Sequence, residues 1–536
     1  MGDSEAESDH SFDNDFENQN ENNPDAEMEL DIPAFNYGPW IGIMDTERFE
    51  LQEMRAFEER TGPVDVRAGD QPQEIFLSML TVPDNMDVNV VDIHVEETNR
   101  YAHQRIAEDN LRPHSRLLAW RDVDSYEMKA FIGLFLLMGL VKKPTIASYW
   151  ENHQDSWLSS TPSFGSVMPR DRFLSILSNL HATNNQTALP RDHPQYDRMW
   201  KAKPIVDSCN AAFRQNYRLA RDICVDERIV GFKGRHNLIQ YVSKKKNHQW
   251  GAKLWVLSES DTGYTEQVKV YQGRGNGNYP HGIGYAVVTS LVEAHYNKFH
   301  HVTTDSLFSS PKLCHDLLDR DTYFTGTVLA HRRGMPASFK NLKTPKGTVT
   351  AKKQRDVLAV HWSDRRQVQF ITSSDHCRME TASNSKGKEK VAPGVVHTYN
   401  KTMGGVDLGD QLLSVYEPDF RSVKLWKKIL FNLLLTACVN AYICHQRSFL
   451  LRRKKTHLQF QYQIILGLIG DFRAQPVIRR NPNVNRGGEA RHIIYRMDGG
   501  KRRKCIICGR KVRTWCKHCK VGVCVGDCFL GHLRSL

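Results

Sequence analysis

The sequence predicts an α/β protein, a mixed β-sheet with flanking helices, set between all-helical segments and followed by a small cysteine-rich segment. Three observations carry this. Apolar residues recur at i, i+3 and i+4 through 128–140 and 172–180, the period of core-facing helices. Near Ile223 the period shortens to that of strands, and three strand-like runs are followed by alternating helix and strand, the order of a mixed α/β layer. Residues 501–536 hold six of the twelve cysteines among a dense run of Lys and Arg.

In chain order, residues 1–47 carry fourteen Asp and Glu and no Lys or Arg, and 1–36 have few apolar side chains. Such a composition cannot bury enough surface to offset chain entropy, so a disordered acidic tail is expected over 1–47. Helical pattern occupies 74–220. Strands are expected at 223–230, 253–258 and 264–271, then a helix at 282–296, a strand at 301–304, a helix at 311–319 and a strand at 323–329. Together these make 221–333 the first part of the sheet domain. Residues 334–396 break the rhythm, with strand-like runs at 357–362 and 367–372 and a polar run at 383–390, and read as an insertion. Helical pattern returns at 406–416 and 423–451. Residues 397–417 are assigned to the second part of the sheet domain, 418–475 to a second helical part, 476–500 to a basic linker and 501–536 to the cysteine-rich domain.

A chain of 536 residues that is 40% hydrophobic can fill more than one core, which excludes wholesale disorder and a single small domain. The longest apolar runs, 131–141 and 429–444, are too short or too interrupted, by Asn432, Thr436 and Asn440, to cross a bilayer, so they read as buried helices and no membrane partner is expected. The N-terminus shows no basic stretch followed by an apolar one, so the cysteines are expected in a reducing compartment, as thiols or metal ligands.

The formal charge of +12 conceals an asymmetry, because beyond residue 47 there are 73 basic against 47 acidic side chains, or +26. Residues 446–536 alone hold 21 Lys and Arg against four acids. Clustered cations gain affinity by displacing phosphate counterions, so nucleic acid is the leading partner, with a merely solvated basic surface as the alternative.

Three aspartates sit where a polar residue is locally unexpected. Asp226 interrupts the apolar run Ile223-Cys224-Val225, Asp305 ends the strand at 301–304, and Asp407 follows Gly404-Gly405 at a helix start, with Asp410 three residues on and near the same face. A first-turn carboxylate is favoured by the helix dipole, and any one of the three alone reads as a cap or a strand-end ion pair. A strand-borne Asp, a second at the end of a later strand and a third on a following helix can converge on one edge of a mixed sheet. Oxygen ligands so gathered suit Mg²⁺, and two such ions serve phosphoryl transfer without a nucleophilic side chain.

At these residues the sequence resembles the piggyBac transposase family. The run Val225-Asp226-Glu227-Arg228-Ile229-Val230-Gly231-Phe232-Lys233-Gly234-Arg235 is similar to that family's first-aspartate motif. Thr303-Thr304-Asp305-Ser306-Leu307-Phe308-Ser309-Ser310 is similar to its second, and Met403-Gly404-Gly405-Val406-Asp407-Leu408-Gly409-Asp410-Gln411 to its third. Ser306 departs from the pattern, since members usually carry Asn there. The resemblance extends upstream through Trp150, 168–173 and 203–207 and downstream from Trp426 to the terminus.

The resemblance implies an RNase H-like catalytic core split by an insertion, flanked by all-helical dimerisation and DNA-binding segments, with a C-terminal cross-brace zinc domain. It implies Asp226, Asp305 and Asp407 as ligands of two catalytic Mg²⁺, with Asp410 among the catalytic residues. DNA contacts are expected from Lys233, Arg235, Trp426, Lys501, Arg502, Arg503 and Lys504, although a Trp on a helix equally reads as core. The implied activity is cut-and-paste DNA transposition, through strand cleavage, a hairpin intermediate and strand transfer into TTAA targets. The implied setting is a homodimer on double-stranded DNA in the nucleus. The alternative is a domesticated, catalytically silent chromatin protein that keeps the DNA-binding surfaces.

The terminal cysteines form two C-x2-C pairs, Cys505/Cys508 and Cys516/Cys519, followed by Cys524, Cys528 and His532. Paired knuckles suit tetrahedral Zn²⁺, and so short a segment needs metal to fold. Seven ligands exceed one site and fall one short of two, so two structural Zn²⁺ require an eighth ligand, for which His518, Asp527 and His492 are candidates. A RING-like or PHD-like protein-binding module is the alternative to DNA binding here, and the adjacent Lys501-Arg502-Arg503-Lys504 favours DNA. Weaker features are the turn-like Gly273-Arg274-Gly275-Asn276-Gly277 and the basic runs Lys244-Lys245-Lys246 beside Trp250, Arg332-Arg333, and Arg452-Arg453-Lys454-Lys455. The first two of these runs suit phosphate contact or a solvated loop, and the last suits nuclear import or DNA contact.

Overall fold

The structure, a computed structural model, describes residues 37–44, 46, 51, 53–67, 69–82, 89–108, 111–112, 115–151, 162–242, 249–273, 279–383, 389–419, 422, 424–448, 454–470, 472, 494–497, 502–517 and 519–534. The chain divides into two compact units. One comprises Met1–Val64 with Tyr217–Gln411, and the other Asp65–Asn216 with Leu412–Leu536.

The first unit is built on one sheet. Its strands are β1 (Ile41–Gly42), β2 (Asp222–Gly231), β3 (Ile239–Tyr241), β4 (Trp250–Glu259), β5 (Thr265–Val270), β6 (His301–Thr304), β7 (Tyr323–Val328), β8 (Val349–Gln354), β9 (Val357–Ser363) and β10 (Gln367–Thr372). Their order is β1-β8-β9-β10-β7-β6-β2-β4-β3, with β5 also paired to β4. β6 runs parallel to both β2 and β7, and the remaining pairs are antiparallel. Helices α1 (Ile283–Val292), α2 (Pro311–Leu318), α3 (Gly394–Thr402) and α4 (Gly405–Val415) complete the alternation. The central order β5-β4-β2-β6-β7 is that of an RNase H-like core.

Residue type explains the central placement of β2 and β6. Ile223, Cys224 and Val225 are fully buried, as a strand covered on both faces requires. β6 is buried too, yet holds two threonines and a histidine. It tolerates them because the polar atoms are partnered. Thr303 Oγ1 lies 2.7 Å from Thr402 Oγ1, Thr304 Oγ1 lies 2.8 Å from Ser309 Oγ, and His301 meets Asp222 and Thr325 at 2.9 Å each.

Residues 334–396 interrupt this order, but β8, β9 and β10 hydrogen-bond in series onto β7 rather than forming a sheet of their own. The hairpin Met379–Ser383 with Glu389–Pro393 pairs only with itself. β8 was not expected from its Lys-rich sequence. It is held on one side by β9 and on the other by β1.

That last pairing also corrects the acidic tail, which was expected to extend to residue 47. The described part of its end is ordered, because it carries aromatic groups worth burying. Tyr37 stacks on His315 at 4.0 Å, and Trp40 Nε1 donates to the Gly334 carbonyl at 2.8 Å. The rest of the tail, 1–36 with 45 and 47, lies outside the described residues.

The second unit is helical, with Pro72–Ser78, Val90–Ala107, Ser125–Leu140, Arg170–Asn179, Lys203–Asn216, Leu425–Arg447 and His457–Ile469. Helix Leu425–Arg447 is long and apolar enough to cross a membrane, but 89% of that window is buried within the protein, which makes it a core helix. Close packing is visible at Gly139, where a Cβ would fall 1.9 Å from the Tyr416 carbonyl oxygen. Lys427, only 5% exposed, spends its ammonium on the Leu177 and Ser178 carbonyls at 2.6 and 3.2 Å, at the C-terminal end of helix Arg170–Asn179, where a cation is favoured.

Candidate active site and metal centres

The sheet register brings Asp226 and Asp305 side by side. Val225 on β2 is the parallel partner of Thr304 on β6, so the next residue on each strand is an aspartate, one strand spacing of about 4.8 Å apart. β6 ends there, and Asp305 turns the chain, its Oδ1 accepting from the Leu307 amide at 2.9 Å. Asp226 Oδ1 accepts from the Glu227 amide at 2.8 Å.

The third carboxylate arrives on α4. Gly405 approaches β2 so closely that a Cβ would lie 2.8 Å from Cys224 Sγ. One turn along, Asp410 accepts a 2.5 Å hydrogen bond from Arg228 Nε. Cys224, Asp226 and Arg228 alternate on one face of β2, while Asp407 and Asp410, three apart, share one side of α4. Asp407 lies in the first turn of this helix.

Two charge effects report the same convergence. Burial pushes the Asp305 carboxyl up from its ordinary value, and the Glu227 carboxylate adds to the rise against the Leu307 amide and Lys253. Tyr399 of α3 is pushed up to about 12, first by burial and then by the charges of Asp305 and Asp226. Carboxylates offer the hard oxygen ligands that Mg²⁺ takes. Among the described residues, the groups of three or more ligand atoms all within 4.8 Å of one another are the two cysteine clusters, so the ligand atoms of Asp226, Asp305 and Asp407 are not all within that distance of one another.

Three of the expected residues make contacts that the sequence did not show. Asp410 is engaged with Arg228, whose side chain is only 3% exposed and also donates to Thr265 Oγ1 at 3.2 Å. Trp426 is 7% exposed and packed against His181, with ring centroids 5.4 Å apart, in the first turn of the core helix of the second unit. Arg332 donates to the Ser306 and Leu307 carbonyls at 2.6 and 3.4 Å, bracing the turn after Asp305, a job expected neither of a phosphate clamp nor of a solvated loop. Lys233 and Arg235 are exposed, as are Arg502 and Lys504. Arg503 donates to the Lys520 carbonyl and lies over the Trp515 ring at 5.3 Å. Lys501, Lys244–Lys246, Arg274–Gly277, Arg452 and Arg453 lie outside the described residues. The sequence reading missed Arg228, Lys253, which pairs with Glu227 at 2.8 Å, and Tyr399. A charge two residues beyond Asp226 in an apolar strand was the available signal for Arg228.

The cysteine segment gathers two clusters, Cys505/Cys508/Cys524/Cys528 and Cys516/Cys519/His532. Along the chain the pairs alternate between clusters, which is a cross-brace. Both knuckles close alike, Gly509 N donating to the Cys505 carbonyl at 2.9 Å and Lys520 N to the Cys516 carbonyl at 2.8 Å. Each closing residue has positive φ, +74° at Gly509 and +56° at Lys520. The Arg510 guanidinium holds the Cys508 thiol down to about 6. Among the described residues, Val523 is the fully buried apolar side chain beside Cys505, Cys516 and Cys519, with Ile507, Val512, Val521 and Phe529 partly buried around them. A thiol-lined cage of this kind suits Zn²⁺.

Of the candidate eighth ligands, His492, His518 and the Asp527 side chain lie outside the described residues, and the second cluster shows three ligands. The module also begins earlier than 501. Strand Ile494–Arg496 pairs with Thr514–Cys516, because Tyr495 faces Trp515 and takes the Lys517 ammonium at 4.8 Å over its ring.

Comparison with known proteins follows the geometry. The sequence profile of a family described as Transposase IS4 matches residues 71–442. The human piggyBac transposable element-derived protein 3 is 25% identical over 490 residues, spanning 86% of this chain and 78% of its own. The human piggyBac transposable element-derived protein 5 is 23% identical over 423 residues, 74% of this chain and 75% of its own. Among solved structures, the piggyBac transposase synaptic complex with hairpin DNA aligns with a TM-score of 0.65 at 22% identity, covering 77% of this chain and 83% of that one. This likeness is one of fold.

Proposed function

The chain belongs to the piggyBac-type transposase family, and from that premise we propose that it is a DNA transposase whose sheet unit cuts and joins strands with two divalent ions held by Asp226, Asp305 and Asp407. The observation that supports this reading is the register that makes Asp226 and Asp305 neighbours, together with Asp407 in the first turn of the helix that Asp410 ties to β2. Bound Mg²⁺ would activate the attacking oxygen and stabilise the leaving one. The chain's own groups position this chemistry. Arg228 and Asp410 clamp α4 to β2, Lys253 balances Glu227, and Arg332 fixes the turn that presents Asp305. Family membership supports the rest of the proposal: cleavage by water at the transposon end, a hairpin formed by the freed 3′ hydroxyl, and transfer into TTAA target DNA. It likewise supports action as a homodimer on double-stranded DNA in the nucleus, with two Zn²⁺ in the cross-brace.

The test is cleavage of a DNA end by Asp226→Asn, Asp305→Asn and Asp407→Asn. A carboxamide is a neutral and poorer ligand, so each should lower cleavage by about three orders of magnitude or more, the scale of several kcal/mol of metal assistance. Duplex affinity should change by less than about twofold. Near-parental cleavage by any of the three would overturn the assignment. The human relatives' description as transposable element-derived supports a second reading, a silent DNA-binding protein. A parent protein that binds transposon ends and never cuts them would decide for it.

A further inference from the structure

Beyond the carboxylates, one surface feature on the same face of the sheet has no role in the reading above. Tyr241 on β3 stands directly across from Trp250 on β4, their ring centroids 4.9 Å apart and their planes at 44°. Both remain more than half exposed, at 53% and 57%. Cross-strand aromatic pairs do stabilise hairpins, but one this exposed leaves two ring faces in water.

Its position is set by register. On β4, Val256 opposes Asp226, Leu254 opposes Arg228 and Ala252 opposes Val230. Opposed residues share a face and faces alternate, so Trp250 lies on the face of Asp226. Six residues separate Val256 from Trp250, roughly 20 Å along the strand. Gly251 lets β4 close tightly on β2 at this end, since a Cβ there would sit 2.2 Å from the Val230 carbonyl oxygen. Residues 232–250, which join β2 to β4, include five Lys and Arg and no Asp or Glu. Of these, Lys233 and Arg235 are exposed.

Charge chooses the occupant. The exposed Lys233 and Arg235 select a polyanion, and exposed rings select a π-face. In paired DNA the bases already stack on one another, whereas an unpaired base offers a free face, and base-aromatic stacking is the recurrent means of holding it. We propose that Tyr241 and Trp250 form a stacking platform for an unpaired base of the strand being processed, whose phosphates pass Lys233 and Arg235; this rests on the DNA-processing reading above.

The experiment uses the full chain and two labelled oligonucleotides of equal length, one fully paired and one with a few unpaired nucleotides carrying 2-aminopurine. The parent should prefer the second, and its 2-aminopurine emission should be quenched on binding. Trp250→Leu and Tyr241→Leu should each weaken binding to the unpaired substrate by about tenfold, in the range measured for one stacked base, and abolish the quench. They should leave paired-duplex affinity within about twofold. Trp250→Phe, which keeps a ring, should restore most of both. Thermal melts identify any variant that fails to fold, and the Phe variant then carries the comparison, with a retained preference and quench supporting the platform and their loss overturning it. Equal losses on both substrates, or an unchanged quench in both Leu variants, would overturn the platform while leaving the DNA-processing reading intact. A parent that binds neither oligonucleotide would defeat that reading itself.

Discussion

In the sheet unit, the aspartates are placed by hydrogen-bonded pairing of buried strands. Asp226 and Asp305 are neighbours because β2 and β6 pair over Val225 and Thr304, both fully buried. In the cysteine module the order is reversed, and the ligands are themselves most of the interior, with Val523 as the fully buried apolar side chain beside them. A scaffold that precedes its metal can lose a ligand and keep its shape. A scaffold made of ligands cannot, and sequence changes in the two regions should therefore be read on different scales.

The largest expected effect breaks the comparison at the module. Zinc binding to such segments supplies roughly 10–16 kcal/mol near pH 7, so a strong chelator, or Cys516→Ser, should unfold residues 494–534 as one event. Hydrogen exchange should show protection lost there and unchanged on β2 and β6. Simultaneous loss in the sheet would mean that the two regions do not differ in this way.

Next in size is the clamp between α4 and β2. Asp410→Asn removes the acid opposite Arg228, whose side chain is 3% exposed, and an uncompensated buried charge costs about 3–5 kcal/mol. Replacing both partners, Arg228→Met with Asp410→Leu, should recover most of that stability in thermal melts. If Asp410→Asn melts like the parent, the pair does not hold α4 in place.

A smaller effect is set by acid. Burial pushes His94 down to about 4 and His181 down to about 3, and the Lys427 ammonium adds to both. The unfolded chain binds protons near pH 6.5 that the folded one refuses, so the stability present above that pH is lost as pH falls toward 4. The limiting slope is about 1.4 kcal/mol per pH unit for each histidine. Denaturation midpoints of the double variant His94→Gln with His181→Gln should depend less on pH across this window. An unaltered slope would assign the acid sensitivity elsewhere.

The smallest effect tests the buried tryptophan. Trp426→Phe keeps an aromatic ring but leaves a small cavity at a buried site whose indole nitrogen has no partner among the described residues, so it should cost about 1–2 kcal/mol and leave DNA affinity unchanged. A large loss of affinity without loss of stability would return Trp426 to the interface.

The same contrast explains what could be read from the sequence. β2, β6, α2 and β7 were legible because central elements declare themselves through period and composition, and Asp226 and Asp305 stood out against buried neighbours. The knuckle spacing likewise announced the module. β8, with Val-Thr-Ala-Lys-Lys-Gln, hid its strand character because its adjacent lysines break the apolar alternation of a strand, and its pairing to β9 and β1 is a tertiary fact. Asp410 read as a catalytic residue because helical spacing puts it near the same face as Asp407, and nothing local reveals that it pairs with Arg228, 182 residues away. Trp426 looked the same in sequence whether core or interface, since only the packing of helix Leu425–Arg447 decides.

The placement of β8, β9 and β10 between β7 and α4 has a consequence in time. Asp226 and Asp407 are 181 positions apart (407 − 226), so a ribosome adding about 5–20 residues per second delivers the last carboxylate roughly ten to forty seconds after the first. Throughout that interval the nascent chain holds Asp226 without its partner on α4. On the proposed function, the set of three carboxylates is completed only by this one late helix, after the strands of the sheet have been synthesised.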